Sequence, residues 1–381
     1  MIKTSFKYLT LVIFFSFCFG QLDNSLNTFL EESFSQSVSL AFVGDLMCHS
    51  PQLTSAFNAK DSTYNFKPVF KYVKKYLSKN DFLFGNLETV CNDNDTAFTG
   101  YPVFNTPESY IDALKYAGFD CLFVANNHFM DRKLVAAKNT IKKIKSIGLN
   151  YSGLAGKENI LILNKNHIKI GVLAYTSFTN RWNEKHFINI LDTNKIKSEI
   201  KYLKKTSCDF IIVYLHFGKE YKREPSPKQN LIVNRILNYG ANIIIGSHPH
   251  VIQPIIMKSK NKLVAFSLGN FLSNQQWRYA NAGIVLNLIL YKNLLTHQTE
   301  IKNVSALPTM VVKKFHKNKF DYYLCPSNFY EKKFRKKDFS LLRDKAILAK
   351  LKESFFDTKK LLLKYFPSIV IDEIKCESDF R

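Results

Sequence analysis

ANIIIGSHPHVIQP, residues 241–254, joins an apolar β-branched run to a turn that carries two histidines. Ile243, Ile244 and Ile245 follow one another without polar alternation, the pattern of a strand covered on both faces, as in a parallel sheet. Gly246 closes the run. His248 and His250 stand two apart, so in an extended chain their rings would face opposite ways. Pro249 between them implies a turn that brings both inward. Polar residues at the carboxyl end of a buried parallel strand sit where open α/β sheets bind their ligands.

The same plan recurs along the chain. Runs at 39–43, 81–84, 121–125, 168–175, 210–215 and 263–268 are β-branched or aromatic and bounded by Gly, Asn or Asp, which reads as strands. Amphipathic stretches lie between them. Residues 107–118 open on Pro107 and close on Gly118, the expected punctuation of a helix. Residues 133–147, 195–204 and 228–237 follow suit, and 66–77 carries Phe66, Val69, Phe70, Val73 and Leu77 at helical spacing. Alternating strands and helices predict an α/β fold with largely parallel, buried strands.

Five of these strands end in residues able to do chemistry. They deliver Asp45, then Asn86 and Glu88, then Asn126, Asn127 and His128, then His216, and last His248 and His250. Imidazoles and carboxylates bind Zn, Mn, Fe or Co, and amide oxygens can complete the shell. Taken singly, each has an ordinary explanation: Asp45 as a turn or helix-capping residue, Glu88 as solvated surface, His128 as a hydrogen-bonded core histidine. Taken together at strand ends, they predict one divalent-metal site. His49, His167, His186, His297 and His316 have no such placement and read as structural or surface residues. Cys48 is the one cysteine well placed in these segments, so a thiolate zinc site is not expected.

The chain carries 54 Lys and Arg against 31 Asp and Glu, a formal net charge of +23. That balance favours polyanionic partners, although a lysine bias spread over a solvated surface gives the same number. No stretch looks like a nucleic-acid motif, so nucleic acid is not expected. Lys3 and Lys7 precede an apolar run at 9–19, then Gly20 and polar sequence from Gln21. This is the layout of a secretory signal at residues 1–20. The run is shorter than the about 20 apolar residues of a membrane span, yet it could stay as an N-terminal anchor. Export to the periplasm or cell surface is expected, with 21–37 as a Ser-rich linker. The remaining cysteines are widely spaced and show no CxxC, which argues against a disulfide framework. After about residue 290 basic residues dominate and glycine disappears, and 339–365 reads as a long amphipathic helix. Residues 38–295 are therefore expected to form the site-bearing domain, and 296–381 a basic, partly helical C-terminal appendage.

The site residues lie in motifs that resemble the CapA/PgsA family, named for capsule and poly-γ-glutamate synthesis. They are FVGDLM (42–47), GNLET (85–89), FNTPESYIDALKYAGFDCLFVANNHFMD (104–131), LHFGKEY (215–221), GSHPHVIQP (246–254) and FSLGNFL (266–272). That family is similar to the calcineurin-like metallophosphoesterases, so the resemblance implies a four-layer αββα sandwich with a dinuclear metal site at the strand ends. It implies Asp45 as a ligand of the first metal, and Asn127 and His216 as ligands of the second. His248 and His250 would serve one metal each, and His128 would assist the leaving group. Asn86, Asn126, Asp131 and Asn270 fall in the same motifs and are expected to support the ligands. Two positions depart from the phosphoesterase pattern. Met47 stands where those enzymes have a histidine. Asn86 stands where they have the bridging aspartate, with Glu88 two residues later, so either Glu88 bridges or a single metal binds.

The resemblance implies a role in cell-envelope or capsule biosynthesis and leaves two versions of it. One is a metal-dependent hydrolase, with one or two ions of Mn, Zn, Fe or Mg, acting on a phosphoester or related bond of a phosphorylated substrate. The other is a non-catalytic assembly factor that holds an anionic, poly-γ-glutamate-type polymer in a membrane-associated synthesis complex.

Overall fold

The computed structural model of the chain describes residues 34–94, 97–156, 159–316, 318–331, 334 and 344–375. The expected signal at 1–20, most of the expected linker, and the first residues of the helix expected at 339–365 lie outside these. In chain order, a first sheet is begun by β1 (Ser35–Leu46), β2 (Phe82–Leu87), β3 (Cys121–Phe123) and β4 (Asn150–Ser152). Helices α1 (Ser50–Ala56), α2 (Ser109–Ala117) and α3 (Lys133–Ser146) connect them. A second sheet follows: β5 (Leu161–Lys165), β6 (Ile168–Thr176), β7 (Phe210–His216), β8 (Ile243–Ser247), β9 (Ile255–Ser259) and β10 (Lys262–Ala265). Its crossovers are α4 (Thr193–Lys205) and α5 (Pro227–Tyr239). The chain then returns to the first sheet with β11 (Asn270–Leu272), β12 (Ala282–Asn293), β13 (Thr299–His316) and β14 (Lys319–Pro326). Helix α6 (Lys345–Tyr365) and the short β15 (Val370–Ile371) complete it.

The first sheet has the order β14-β13-β12-β1-β2-β3-β4, and the second β9-β10-β8-β7-β6-β5. Strands β1 to β4 are parallel, as are β6, β7, β8 and β10, so their carboxyl ends line one edge of each sheet. Residues of β1 alternate between two cores, as the two-residue period of a strand requires. Leu40 and Phe42 face the second sheet; Ala41 and Val43 face outward. Between the sheets, Leu40, Phe42, Phe84 and Phe123 pack on Ile170, Ile212, Tyr214 and Ile245. Outside the first sheet, Tyr110, Ile111 and Leu114 of α2 and Ala137, Ile141 and Ile144 of α3 cover Leu83 and Leu122. Outside the second, Ile196, Ile200 and Leu203 of α4 and Val233 and Ile236 of α5 cover Leu173, Val213 and Ile244. Helices, sheet, sheet, helices: this is the four-layer αββα sandwich expected from the motifs.

Two expectations need correction. Residues 66–77 do not form one helix: a 3₁₀ turn at Lys67–Phe70 gives way to a single α-turn at Lys74–Leu77. Phe70, Tyr72 and Val73 are all buried, and at about 100° per residue Phe70 and Tyr72 would lie on nearly opposite faces of a continuous helix. Breaking the helix lets all three reach the core. Second, β1 begins at Ser35, inside the stretch expected to be linker, because Ser35 already pairs with Asn293.

The C-terminal stretch carries the expected helix, α6, and also strands. The division expected at 295/296 falls between β12 and β13, which are hydrogen-bonded from Ala282↔Met310 to Lys292↔Thr299. Helix α6 puts Ile347 and Leu351 into the outer core of the first sheet, and Leu361 and Leu362 into the core between the sheets. Among the described residues no helix is long and apolar enough to cross a membrane. Leu351→Ala should lower stability by about 2–5 kcal/mol, the cost of a buried Leu truncation, read by urea denaturation of the full chain. A detachable appendage would show no loss.

Candidate metal centre at the strand ends

The carboxyl end of β1 is bent so that Asp45 points into the gap between the sheets. Register shifts between Phe42 and Asp45 against β2, and between Asp45 and Leu46 against β11, mark the bend; such irregularities re-aim side chains next to sites. Gly44 makes the close approach: a Cβ there would lie 1.8 Å from the Gly269 carbonyl oxygen. Asp45 N donates to that same oxygen at 3.0 Å.

From the first sheet, a buried relay of amides ties the acids together. The Asn86 amide nitrogen donates to Asp45 Oδ1 at 2.8 Å and to Glu88 Oε2 at 3.1 Å. Asn126 donates to Asn86 Oδ1 at 3.0 Å and to the Leu87 carbonyl at 2.8 Å, and its own Oδ1 accepts from His128 N at 3.2 Å. From the second sheet come three imidazoles. His216 at the end of β7 donates from Nε2 to Asn127 Oδ1 at 2.8 Å, and its Nδ1 accepts from the Ser247 hydroxyl at 2.9 Å. Past β8, His248 and His250 take φ of +94° and +57°. Left-handed backbone at two non-glycine residues is strained and is found where a site over-determines it. It supplies the turn anticipated around Pro249, with the two rings 5.9 Å apart. His250 Nδ1 lies 3.0 Å from Asp45 Oδ2 and 3.1 Å from Asn270 Oδ1.

Every expected site residue is thus drawn to one place. Asp45, Glu88 and His250 offer ligand atoms within 4.8 Å of one another, and so do Glu88, His216 and His248. A third set, Glu220, His248 and His250, was not anticipated. Glu220 lies in the LHFGKEY motif, but an acid beside Lys219 reads as solvated surface, and its side chain is indeed exposed. Met47 offers no ligand: its backbone continues the β11 pairing through Leu272, and its carbonyl accepts from the Tyr110 hydroxyl at 3.3 Å. His49, also outside the expected set, N-terminates α1 and accepts from Asn274 N at 3.3 Å. His167, His186, His297 and His316 are exposed.

The donor set fits a divalent cation on two counts. Glu88 Oε1 and His248 Nδ1 are buried without a hydrogen-bond partner, while both Asp45 oxygens, Glu88 Oε2, His250 Nδ1 and both His216 nitrogens are engaged. Such orphans are uncommon in folded proteins and cost about 1–3 kcal/mol each. The electrostatics agree. Burial alone would raise the Asp45 carboxyl, but His250 and the Asn86 amide outweigh it and hold Asp45 below the usual range. Burial, and then the neighbouring Asp45 charge, push Glu88 well above it. Burial drives His216 well below its ordinary value, and burial with the nearby His250 brings His248 down to about 4. Neutral imidazoles are the form that binds metal.

His128 stands at the mouth of the cluster. Its Nδ1 donates to Asp131 Oδ2 at 2.7 Å, and that oxygen also accepts from Phe104 N at 2.8 Å. Asn180, a second unanticipated residue, donates to Asp131 Oδ1 at 3.3 Å. It comes from a loop between β6 and α4 that carried no motif. These groups open on a cleft of about 710 Å³, lined also by Tyr101, Phe178, Arg181, Trp182 and Glu220.

A family model described as bacterial capsule synthesis protein PGA_cap matches residues 39–275. The capsule biosynthesis protein CapA of Bacillus anthracis is 31% identical over 64% of this chain and 61% of its own length. The PGA biosynthesis protein CapA of Bacillus subtilis is 27% identical over 67% of this chain and 68% of its own. The chain thus matches about three-fifths to two-thirds of these relatives. Among solved structures, a calcineurin-like phosphoesterase of Bacillus subtilis is similar over 72% of this chain and 91% of that one, at 14% identity and a TM-score of 0.40. Likeness at that level says nothing about activity.

In the metal-free protein His248 should titrate near pH 4, and His49 likewise, because burial lowers both to about 4 from an ordinary value near 6.5. Ring-nitrogen NMR reads this directly; titration of His248 near 6.5 would contradict the buried geometry. The two histidines then withdraw stability as pH falls from about 6.5 to about 4, where only the unfolded chain takes up protons. Glu88, raised, acts in the opposite sense.

Proposed function

The chain belongs to the bacterial capsule synthesis protein family, and from that premise we propose that it serves in building a cell-envelope or capsule polymer. In this reading it acts there as a metal-dependent hydrolase of a phosphoester or related bond. The observation that carries the proposal is the pair of unpartnered, buried ligand atoms, Glu88 Oε1 and His248 Nδ1, among carboxylates and imidazoles. Asp45, Glu88, Asn127, His216, His248 and His250 would hold one or two divalent ions of the Mn, Zn, Fe or Mg class. Glu88, two residues after Asn86, is the acid positioned near both histidine sets. A bound divalent ion would polarise the scissile group and lower the pKa of its water from about 15.7 towards about 7.

The side chains supply the rest. Asp131 accepts the hydrogen bond from Nδ1–H of His128 and so fixes the tautomer, leaving Nε2 to exchange a proton with the leaving group. Asn180 holds the far oxygen of Asp131, which keeps that pair in register. Asn126 and Asn86 hold the two acids without adding charge. A cation between Asp45 and Glu88 would let both ionise, which burial and mutual repulsion otherwise oppose.

Location in the envelope is supported by the secretory layout of residues 1–20 and by the naming of the relatives for capsule and PGA biosynthesis. The net charge of +23 favours a second reading, in which the protein holds an anionic polymer for a membrane-associated synthesis complex without cutting it. Turnover and binding separate the two. The hydrolase should show metal-stimulated turnover of a phosphoester, a phosphoanhydride or a γ-glutamyl amide. The assembly factor should show only salt-sensitive polymer binding.

Elemental analysis should find divalent metal in the purified protein and a sharp loss of it in His248→Ala and Glu88→Gln; unchanged stoichiometry would remove both from the ligand set. His128→Ala should lower turnover about 10²–10⁴-fold, the usual contribution of a general acid or base, with metal content intact. Loss of metal in that variant would make His128 a ligand instead.

A further inference from the structure

The two tryptophans of the chain, Trp182 and Trp277, are each 52% exposed, and both stand at the rim of the strand-end cluster. Trp182 lines the cleft beside His128. Trp277 meets Tyr221 edge-on with ring centroids 5.6 Å apart, and the Tyr221 ring lies 6.2 Å from that of His250. Tyr101, 70% exposed, lines the same cleft with its ring 6.4 Å from His128. These four rings come from four separate loops, after β2, β6, β7 and β11. Exposed aromatics gathered around a cleft mark a binding surface, whereas scattered ones need no explanation.

Tyr221 is set in place. Its N donates to the Pro249 carbonyl at 2.8 Å, its hydroxyl accepts from Gln275 at 3.3 Å, and its φ is +61°. That left-handed conformation is rare for an aromatic residue and is found where a site holds it. The charge of the cleft runs against that of the whole chain. Asp131, Glu184 and Glu220 line it with one guanidinium, Arg181, in a protein of net charge +23. Without a bound cation, a polyanion would meet like charge there.

We infer that this cleft and the adjoining rim beside His250 take a pyranose-containing chain, its sugar rings resting on Tyr101 and Trp182 of the cleft and on Tyr221 and Trp277 of the rim, and its hydroxyls bonded by the carboxylates and amides of the cleft. A pyranose presents C–H faces that an aromatic ring covers without stranding a polar group, and a fringe of hydroxyls that carboxylates and Asn180 or Asn183 satisfy. A flat base seeks parallel aromatic partners, but Tyr221 and Trp277 stand at 68° to each other. A γ-linked glutamate chain has no ring faces for these aromatics to cover. Lys185 rests on one face of Trp182, Nζ 4.1 Å from the ring centre, so a sugar takes the other. The inference names the substrate class of the site proposed above and rests on the cluster being where substrate is held.

Intrinsic fluorescence reads this rim directly, because Trp182 and Trp277 are its source. The full chain is titrated, with and without Mn²⁺ or Zn²⁺, with neutral tetrasaccharides of glucose, galactose, N-acetylglucosamine and N-acetylgalactosamine, with oligo-γ-glutamate, and with AMP; calorimetry checks each response. A saturable response to at least one tetrasaccharide and none to oligo-γ-glutamate is expected. Trp182→Ala and Trp277→Ala should each weaken it about tenfold with an unchanged far-UV circular dichroism spectrum, and Trp277→Phe should retain most of it. No saturable response to any sugar at millimolar concentration, or tighter binding of oligo-γ-glutamate or AMP, overturns the inference. Sugar binding by protein that takes up no metal upholds it while removing the metal-site function; metal uptake without sugar binding does the reverse.

Discussion

Phe123 of the first sheet lies flat against Tyr214 of the second, ring centroids 4.1 Å apart and planes within 10°, and the candidate site depends on the registry which that contact expresses. Phe42, Phe84 and Phe123 stack in turn across the first sheet at 4.8 and 5.8 Å. The stack ends at Tyr214, whose hydroxyl meets Ser247, and Ser247 in turn meets His216. The acids and amides come from the first sheet; the three histidines of the cluster come from the second. The two ligand sets that contain Glu88 each draw on both sheets. The packing that excludes water from the core also sets the separation of the ligands.

A buried cluster of acids and imidazoles is expensive to assemble, since each charge leaves water. The chain meets much of that cost with neutral amides. Asn86 bridges Asp45 and Glu88, Asn126 holds Asn86, and Asn127 and Asn270 engage His216 and His250. Within the cluster, Glu88 Oε1 and His248 Nδ1 stay without a hydrogen-bond partner, and His248 and His250 take left-handed backbone. Left-handed backbone and orphaned ligand atoms at the point where acids and imidazoles converge fit a functional site.

The C-terminal third acts on the site from behind. Arg278 makes a paired ion bridge to Asp357 of α6, at 2.9 and 3.0 Å, and Arg223 and Arg278 both lie over the Tyr279 ring. Arg223 follows Tyr221 in the loop after β7, and Arg278 follows Trp277 in the loop after β11. Helix α6 therefore ties down two of the four rim loops that carry exposed aromatics, those after β7 and β11, which joins the basic C-terminal region to the site it was expected to stand apart from.

Much of this was legible in the sequence. The isoleucine run before Gly246, the polar residues at strand ends and the two histidines around Pro249 announce an α/β sheet edge with a candidate cation site, because periodicity and residue chemistry are local properties. Strands β13 and β14 were not legible, since lysines around their apolar stretch suggested a solvated appendage and their pairing partner β12 cannot be read from their own pattern. Glu220 and Asn180 were missed for the same reason: an exposed acid beside a lysine, or an asparagine in a loop, gains meaning only from neighbours across space. By itself the sequence determined the strands that end at the site and the chemistry they carry. The tertiary structure alone decided that two sheets pack face to face with those strand ends side by side, because side-chain packing between distant segments, and no local preference, sets which candidate ligand atoms come within reach of one another.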